Sequence, residues 1–188
     1  AGRVRLASIQ EKKAEYEQEL KRLAETSAAL KNLIASYENR RSQSASLNTG
    51  FGKEKGRLKW PLTGDVVSKF GRQKHPEFDA YVYKKGIEIA SGRDRDVRAV
   101  YDGVVVYADW LKGYGLLIII DHGHSYYSVY AHASRLLVSK GNKVRRGQEV
   151  AVSGNDSNTL SDREGIYFEI RYNGQPVDPL AWLSSNRR

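Results

Sequence analysis

Val97-Arg98-Ala99-Val100-Tyr101-Asp102-Gly103-Val104-Val105-Val106-Tyr107, answered by Leu116-Leu117-Ile118-Ile119-Ile120-Asp121, is the stretch that decides the fold. β-branched and aromatic residues fill short runs, and Asp102-Gly103 and Lys112-Gly113-Tyr114-Gly115 interrupt them as turns do. The same texture extends outward. Residues 66–70, 97–101, 104–107, 116–121, 126–130 and 166–171 read as strands, and Asn173-Gly174 supplies another turn. No amphipathic helix intervenes, so a mainly β domain over residues 57–188, an open sandwich or barrel, is expected.

Upstream the period changes from two to seven. Ile9, Tyr16, Leu23, Leu30 and Tyr37 recur every seventh residue, with Leu6, Lys13, Leu20, Ser27 and Ile34 forming a second track. The pattern predicts a helix over residues 1–41 with coiled-coil-like spacing. Lys13 and Ser27 break the second track. Two readings fit: the end of a coiled coil, or an amphipathic regulatory helix docked on its own β domain. The Gly- and Ser-rich stretch 42–56 reads as a linker between the two parts.

Composition narrows the chemistry. The chain has 188 residues, 40 % hydrophobic and 28 % charged, with 31 Lys+Arg against 22 Asp+Glu and a net charge of +9. The longest apolar run in the β region, residues 116–120, is far shorter than the roughly 20 residues of a spanning helix. There is no cysteine, which excludes disulfides, thiolate metal sites and cysteine nucleophiles. With no methionine at position 1 and no leader visible, the sequence reads as part of a longer protein. No Gly-x-Ser-x-Gly elbow and no phosphate-cradling loop is present. Zinc chemistry would have to use carboxylates and the four histidines, His75, His122, His124 and His132. His122 and His124 would share a face if a strand continued through them, and this is an alternative metal site. The positive charge also admits a polyanion binder, although no nucleic-acid-binding pattern accompanies it.

Several segments, in order, carry a resemblance. They are Lys85-Gly86-Ile87-Glu88-Ile89-Ala90, Gly113-Tyr114-Gly115, Ile119-Ile120-Asp121-His122-Gly123, Tyr130-Ala131-His132 and Tyr167-Phe168-Glu169-Ile170-Arg171. Together they resemble the LytM-type (lysostaphin-type) zinc peptidase domain over about residues 57–183. In that family a His-x-x-x-Asp pair and the second His of a His-x-His pair hold the metal. Placed on this sequence, the ligand positions fall at Lys84, Glu88 and Tyr167, and the first catalytic histidine falls at Gly165. Only the His132 position is kept. A lysine is a cation at neutral pH and offers zinc no lone pair, so the resemblance implies a metal-free, cofactor-free, catalytically dead site.

Asp109-Trp110-Leu111, Asn173-Gly174-Gln175-Pro176-Val177-Asp178-Pro179 and Trp182-Leu183 narrow the likeness to the EnvC-type murein hydrolase activators. That resemblance implies a periplasmic protein of a Gram-negative bacterium with a coiled coil ahead of a degenerate LytM domain. It implies a groove that activates an N-acetylmuramoyl-L-alanine amidase in cell-wall splitting, and a coiled coil that engages the FtsE–FtsX complex. The expected partner-binding groove is Lys84, Lys85, Glu88, Tyr130, His132, Tyr167 and Arg171. Peptidoglycan is a further expected contact, and nucleic acid is not. The alternatives are an active zinc endopeptidase cutting peptidoglycan cross-links and a cell-wall or polyanion binding module.

Overall fold

The computed structural model describes residues 2–41, 47–75, 79–154 and 164–186. The periodic N-terminal segment is one helix, α1 (Gly2–Arg41), about 60 Å long at 1.5 Å per residue. The strands that follow are β1 (Asp65–Ser68), β2 (Gly71–Lys74), β3 (Tyr81–Lys84), β4 (Ile87–Ala90), β5 (Asp96–Arg98) and β6 (Gly103–Leu111). The second half holds β7 (Gly115–Gly123), β8 (Tyr126–Leu136), β9 (Lys143–Val144), β10 (Glu149–Ser153), β11 (Gly165–Tyr172) and β12 (Gln175–Val177), before a short helix α2 (Pro179–Trp182). Ten strands form one sheet in the order β1-β4-β11-β8-β7-β6-β9, with β10 joining β5 and β8 and with β12 on β11; β2 and β3 form a separate hairpin. Every strand pair is antiparallel, and the tight turns of β6–β7, β7–β8 and β11–β12 require it there.

The large sheet buries both faces. On one, Ile87, Val105, Ile118, Ile120, Phe168 and Ile170 pack with Phe51, Leu58, Val144 and Trp182. On the other, Leu117, Ile119, Tyr127, Val129 and Ala131 pack with Leu30 and Ile34 of α1. Alternation along β7 and β8 thus supplies two cores, and α1 closes the second.

The heptad seam of α1 faces the domain from Tyr16 onward: positions 16, 20, 23, 27, 30, 34, 37 and 41 are buried or half-buried. Leu30 is 0 % and Ile34 2 % exposed, whereas Val4 is 77 % exposed, so the grip grows along the helix. At its C-terminal end Arg41 Nη1 donates to Asp121 Oδ1 at 3.1 Å. The Tyr127 hydroxyl donates to Glu38, and Ser125 Oγ donates to Glu38 Oε2 at 3.3 Å.

The expected linker divides. Residues 42–46 lie outside the described residues, and residues 47–56 belong to the β domain. Asn48 bridges to Gly123, the Thr49 hydroxyl donates to the His122 carbonyl, and Phe51 is 1 % exposed. The Phe51 ring stacks on His122 at 4.5 Å and on Trp182 at 5.3 Å. A Gly-rich composition hid one aromatic anchor.

Candidate functional site

Register places several of the expected site residues side by side. Tyr167 of β11 lies opposite Glu88 of β4 and opposite Ala131 of β8, and the His132 ring meets the Tyr167 ring edge-on at 5.9 Å. With Lys84, Lys85 and Tyr114, the residues Glu88, His132 and Tyr167 line a cleft of about 390 Å³. Its roof is α1 residues Glu19, Leu20, Leu23, Thr26 and Ser27, and its wall is the β2–β3 hairpin, through Tyr81 and Tyr83. The helix therefore covers the cleft without filling it. Tyr16, further along the helix, touches the hairpin at His75, ring to ring at 4.4 Å.

Two features hold this site in shape. His132 has a positive φ of 64°, a conformation uncommon for a residue with a side chain. Its N–H donates to the Tyr114 carbonyl at 2.8 Å, which fixes that turn of the strand. Beneath the cleft floor, the Tyr167 hydroxyl donates to Glu169 Oε1 at 2.7 Å, and Arg171 Nε donates to Glu169 Oε2 at 3.3 Å. Burial pushes the Glu169 carboxyl upward while Arg171 pulls against it. Burial and the Glu169 charge raise the Tyr167 phenol well above its usual value, so it is neutral and serves as a donor. Lys85 donates to the Ser27 hydroxyl of α1. Burial and the neighbouring Arg171 charge lower the Lys85 ammonium.

Five of the seven expected groove residues meet here: Lys84, Lys85, Glu88, His132 and Tyr167. Tyr130 and Arg171 do not line the cleft. Tyr130 is 1 % exposed, and its hydroxyl accepts from the Val100 N–H at 3.0 Å. It sits two residues from His132, and a register shift lets their side chains leave in different directions. Arg171 shares the Tyr167 face of β11, as the strand period requires, but is 1 % exposed and committed to Glu169. Its role is internal pairing.

The residues that the sequence reading missed are Tyr114, the hairpin tyrosines and, on α1, Ser27. Ser27 looked like a fault in the heptad track. A small hydroxyl there lets the helix approach Lys85. Close approach also explains Gly113, where an added Cβ would stand 2.2 Å from Thr26 Cγ2.

The donor set does not fit a hydrolytic zinc, which needs three protein ligands and an open water position. Glu88 is the one usual donor among the three expected ligand positions. At Gly165, a Cβ would lie 1.9 Å from the Ile89 carbonyl oxygen, so the backbone there has closed over the space a histidine would use. The other candidate pair does not form a site either. His122 is 0 % exposed, with Nδ1 at 2.6 Å from the Asp102 carbonyl and Nε2 at 2.7 Å from Ser128 Oγ. His124 lies beyond the strand, exposed and with a φ of 50°. Burial lowers the His122 imidazole to about 4, so it stays neutral as a core group.

This fold and this strand register define the peptidase family M23 domain, and the chain belongs to that family: its profile matches residues 82–179, just over half of the sequence. Among known relatives, the chain is 38 % identical over 134 residues to the murein hydrolase activator EnvC of Escherichia coli, covering 71 % of this chain and 30 % of that protein. It is 41 % identical over 133 residues to the lipoprotein NlpD/LppB homolog of Pseudomonas aeruginosa, covering 70 % and 41 %. It is also 41 % identical over 126 residues to the murein hydrolase activator NlpD of Salmonella typhimurium, covering 66 % and 31 %. The matched part is thus well under half of each relative. Among solved structures, a putative M23 peptidase of Pseudomonas aeruginosa superposes with a TM-score of 0.62 at 21 % identity, over 87 % of this chain and 61 % of that one. The catalytic domain of the M23 protein EnpA of Enterococcus faecalis gives 0.56 at 26 %, over 68 % and 96 %.

Proposed function

We propose that this protein is a non-catalytic activator of a peptidoglycan hydrolase in the cell envelope. More narrowly, it activates a periplasmic N-acetylmuramoyl-L-alanine amidase through the cleft of Lys84, Lys85, Glu88, His132 and Tyr167. One observation carries the reading: an M23 domain keeps a cleft in which the positions that the family resemblance assigns to zinc ligands hold Lys84 and Tyr167, and Gly165 has no room for a side chain. Relatives named murein hydrolase activators support it. A cleft that no longer turns over substrate can still bind a partner segment, and its mixture of cations, a carboxylate and aromatic rings is what protein interfaces favour. The helix α1 is a cover on that cleft, and activation requires it to lift. Engagement of FtsE–FtsX by a coiled coil continuous with α1 would supply the pull.

Dye release from labelled peptidoglycan tests this. The protein alone should release nothing, and a purified amidase should be stimulated once the cover is loosened. Glu88→Lys and Lys84→Glu, both at half-exposed positions, should remove the stimulation without changing the melting temperature. Hydrolysis by the protein alone, with stoichiometric zinc, would restore the endopeptidase reading.

A further inference from the structure

The net charge of +9 has a location that the order of residues conceals. Segments 53–59 and 140–149 hold eight Lys and Arg against two Glu, two-thirds of the whole excess in 17 of 188 residues. They are some 80 residues apart, and the fold joins them. The Arg146 guanidinium donates to the Arg57 carbonyl at 3.2 Å, and Lys59 Nζ comes within 3.4 Å of the point where a Gly147 Cβ would stand. Tyr101 lies between, bonded to Glu54 at 3.5 Å and beside Asp102 and Arg146. Asp102 is the acid that faces the patch from β6's leading turn, accepting the Arg146 N–H at 2.7 Å. At the border Arg98 is neutralised by Asp96 and Glu149. Arg57, Lys59, Lys140, Lys143, Arg145 and Arg146 are all exposed.

We infer that this patch is a docking surface for an anionic phospholipid bilayer, separate from the cleft. Neither the cleft nor the small pocket beside it is lined by any residue of the patch, whose cations are exposed, so it reads charge density and not shape. Exposed rings on which a sugar would stack are elsewhere: Trp182 beneath Lys55 is 7 % exposed, and Tyr101 is half-buried. The exposed apolar side chain near the patch is Leu137, 43 % exposed and three residues before Lys140. Exposed cations with an aliphatic neighbour suit a lipid headgroup layer better than a glycan strand, and each cation near such a surface adds to adsorption.

The placement leaves the activator site free. β6 starts at Gly103, paired with Val144 at the patch. It ends at Leu111, next to Gly113, which touches Thr26 above the cleft. The eight steps from Gly103 to Leu111, at about 3.3 Å each, separate the two sites by about 26 Å. The bilayer surface and the cleft's partner can therefore be held at once.

Vesicle co-sedimentation of the whole chain tests the inference, with phosphatidylcholine vesicles carrying or lacking phosphatidylglycerol, at low and at physiological salt. Binding should require phosphatidylglycerol and fall with salt. The triple reversal Lys59→Glu, Lys143→Glu, Arg145→Glu should lower the partition at least about tenfold. The reversal Arg5→Glu, Lys13→Glu, Lys21→Glu on the exposed side of α1 has the same net charge and should keep most of it. Circular dichroism melts of both confirm folding. Equal losses in the two triples, or binding to purified peptidoglycan sacculi without binding to phosphatidylglycerol vesicles, would overturn it. Amidase stimulation in solution, measured with the cover loosened by Leu30→Ala and Ile34→Ala, should survive the patch reversal, so failure here is distinct from failure of the activator reading.

Discussion

Loosening the cover is the perturbation that most directly separates a docked regulator from a structural helix. Leu30 and Ile34 are 0 % and 2 % exposed, and both sit on the α1 side of the sheet. Truncating a buried Leu or Ile to Ala costs about 2–5 kcal/mol. The lower end applies here, because the helix covers a face with solvent close by and the site can relax. Leu30→Ala with Ile34→Ala then shifts docking by about 4 kcal/mol, near a thousandfold in the docked-to-undocked ratio. The other core, built on Phe51, Leu58, Ile118 and Phe168, shares none of these contacts and should keep the β domain folded.

Hydrogen exchange should therefore show residues 16–41 losing protection while β7 and β8 keep theirs, with trypsin cutting at Lys31 and a marked rise in amidase stimulation. Exchange that stays slow in α1, or a domain that melts with the helix as one unit and stimulates no more than before, would refute the cover. Deleting residues 1–56 is a poorer test, since it removes Phe51 from between His122 and Trp182.

Three further outcomes follow from burial. Arg171→Glu should destabilise the domain by about 3–5 kcal/mol, because it sets two carboxyls together in a dry site; a urea midpoint equal to the parent's would contradict the pairing. Gly165→Ala should cost about 1–3 kcal/mol by forcing β11 away from the Ile89 carbonyl, and an unchanged melting temperature would show that the strand yields freely. His122 titrates near 4 in the fold and near 6.5 when exposed. Between these values the unfolded chain binds a proton that the native one refuses, so stability falls with falling pH. The loss is about 2 kcal/mol from pH 7 to pH 5, read from urea midpoints and absent in His122→Asn.

How far the sequence could be read depends on which interactions are local. Strand runs and Asp-Gly or Gly-x-Gly turns are local signals, and the six expected strands all occur. The structure lengthens some of them: β6 continues to Leu111 and β8 to Leu136. That Lys84, Glu88, His132 and Tyr167 come together was legible because strand period and family spacing place them on neighbouring strands. Burial was not legible. Tyr167 and Arg171 share a face by period, yet the same face runs from an open cleft to a closed core, and nothing in the alternation marks that boundary. The heptads specified an apolar stripe but not its partner. Choosing between a second helix and the chain's own sheet needed the facing surface of Leu117, Ile119, Tyr127 and Val129. The charge patch is the extreme case, since its two halves meet only through the fold.

The cover is graded, and that shapes how it can open. The strongest contacts lie at its C-terminal end, where Leu30 and Ile34 are buried and Arg41 and Glu38 reach Asp121, Ser125 and Tyr127. Over the cleft the helix is held more lightly. Lys85 bonds Ser27, Leu20 and Leu23 stay half-buried, and about 390 Å³ remains open below them. Further out, Val4, Leu6 and Ile9 are exposed at 77, 59 and 50 %. A force or partner acting on the N-terminal end thus meets the weakest contacts first, and those are the ones above the cleft. Lifting residues 16–27 uncovers Lys84, Glu88, His132 and Tyr167 while Leu30 to Arg41 still tether the helix. The proposed activation therefore needs only partial release, which costs less than full undocking, and because the tether persists the helix can close again when the proposed pull ends.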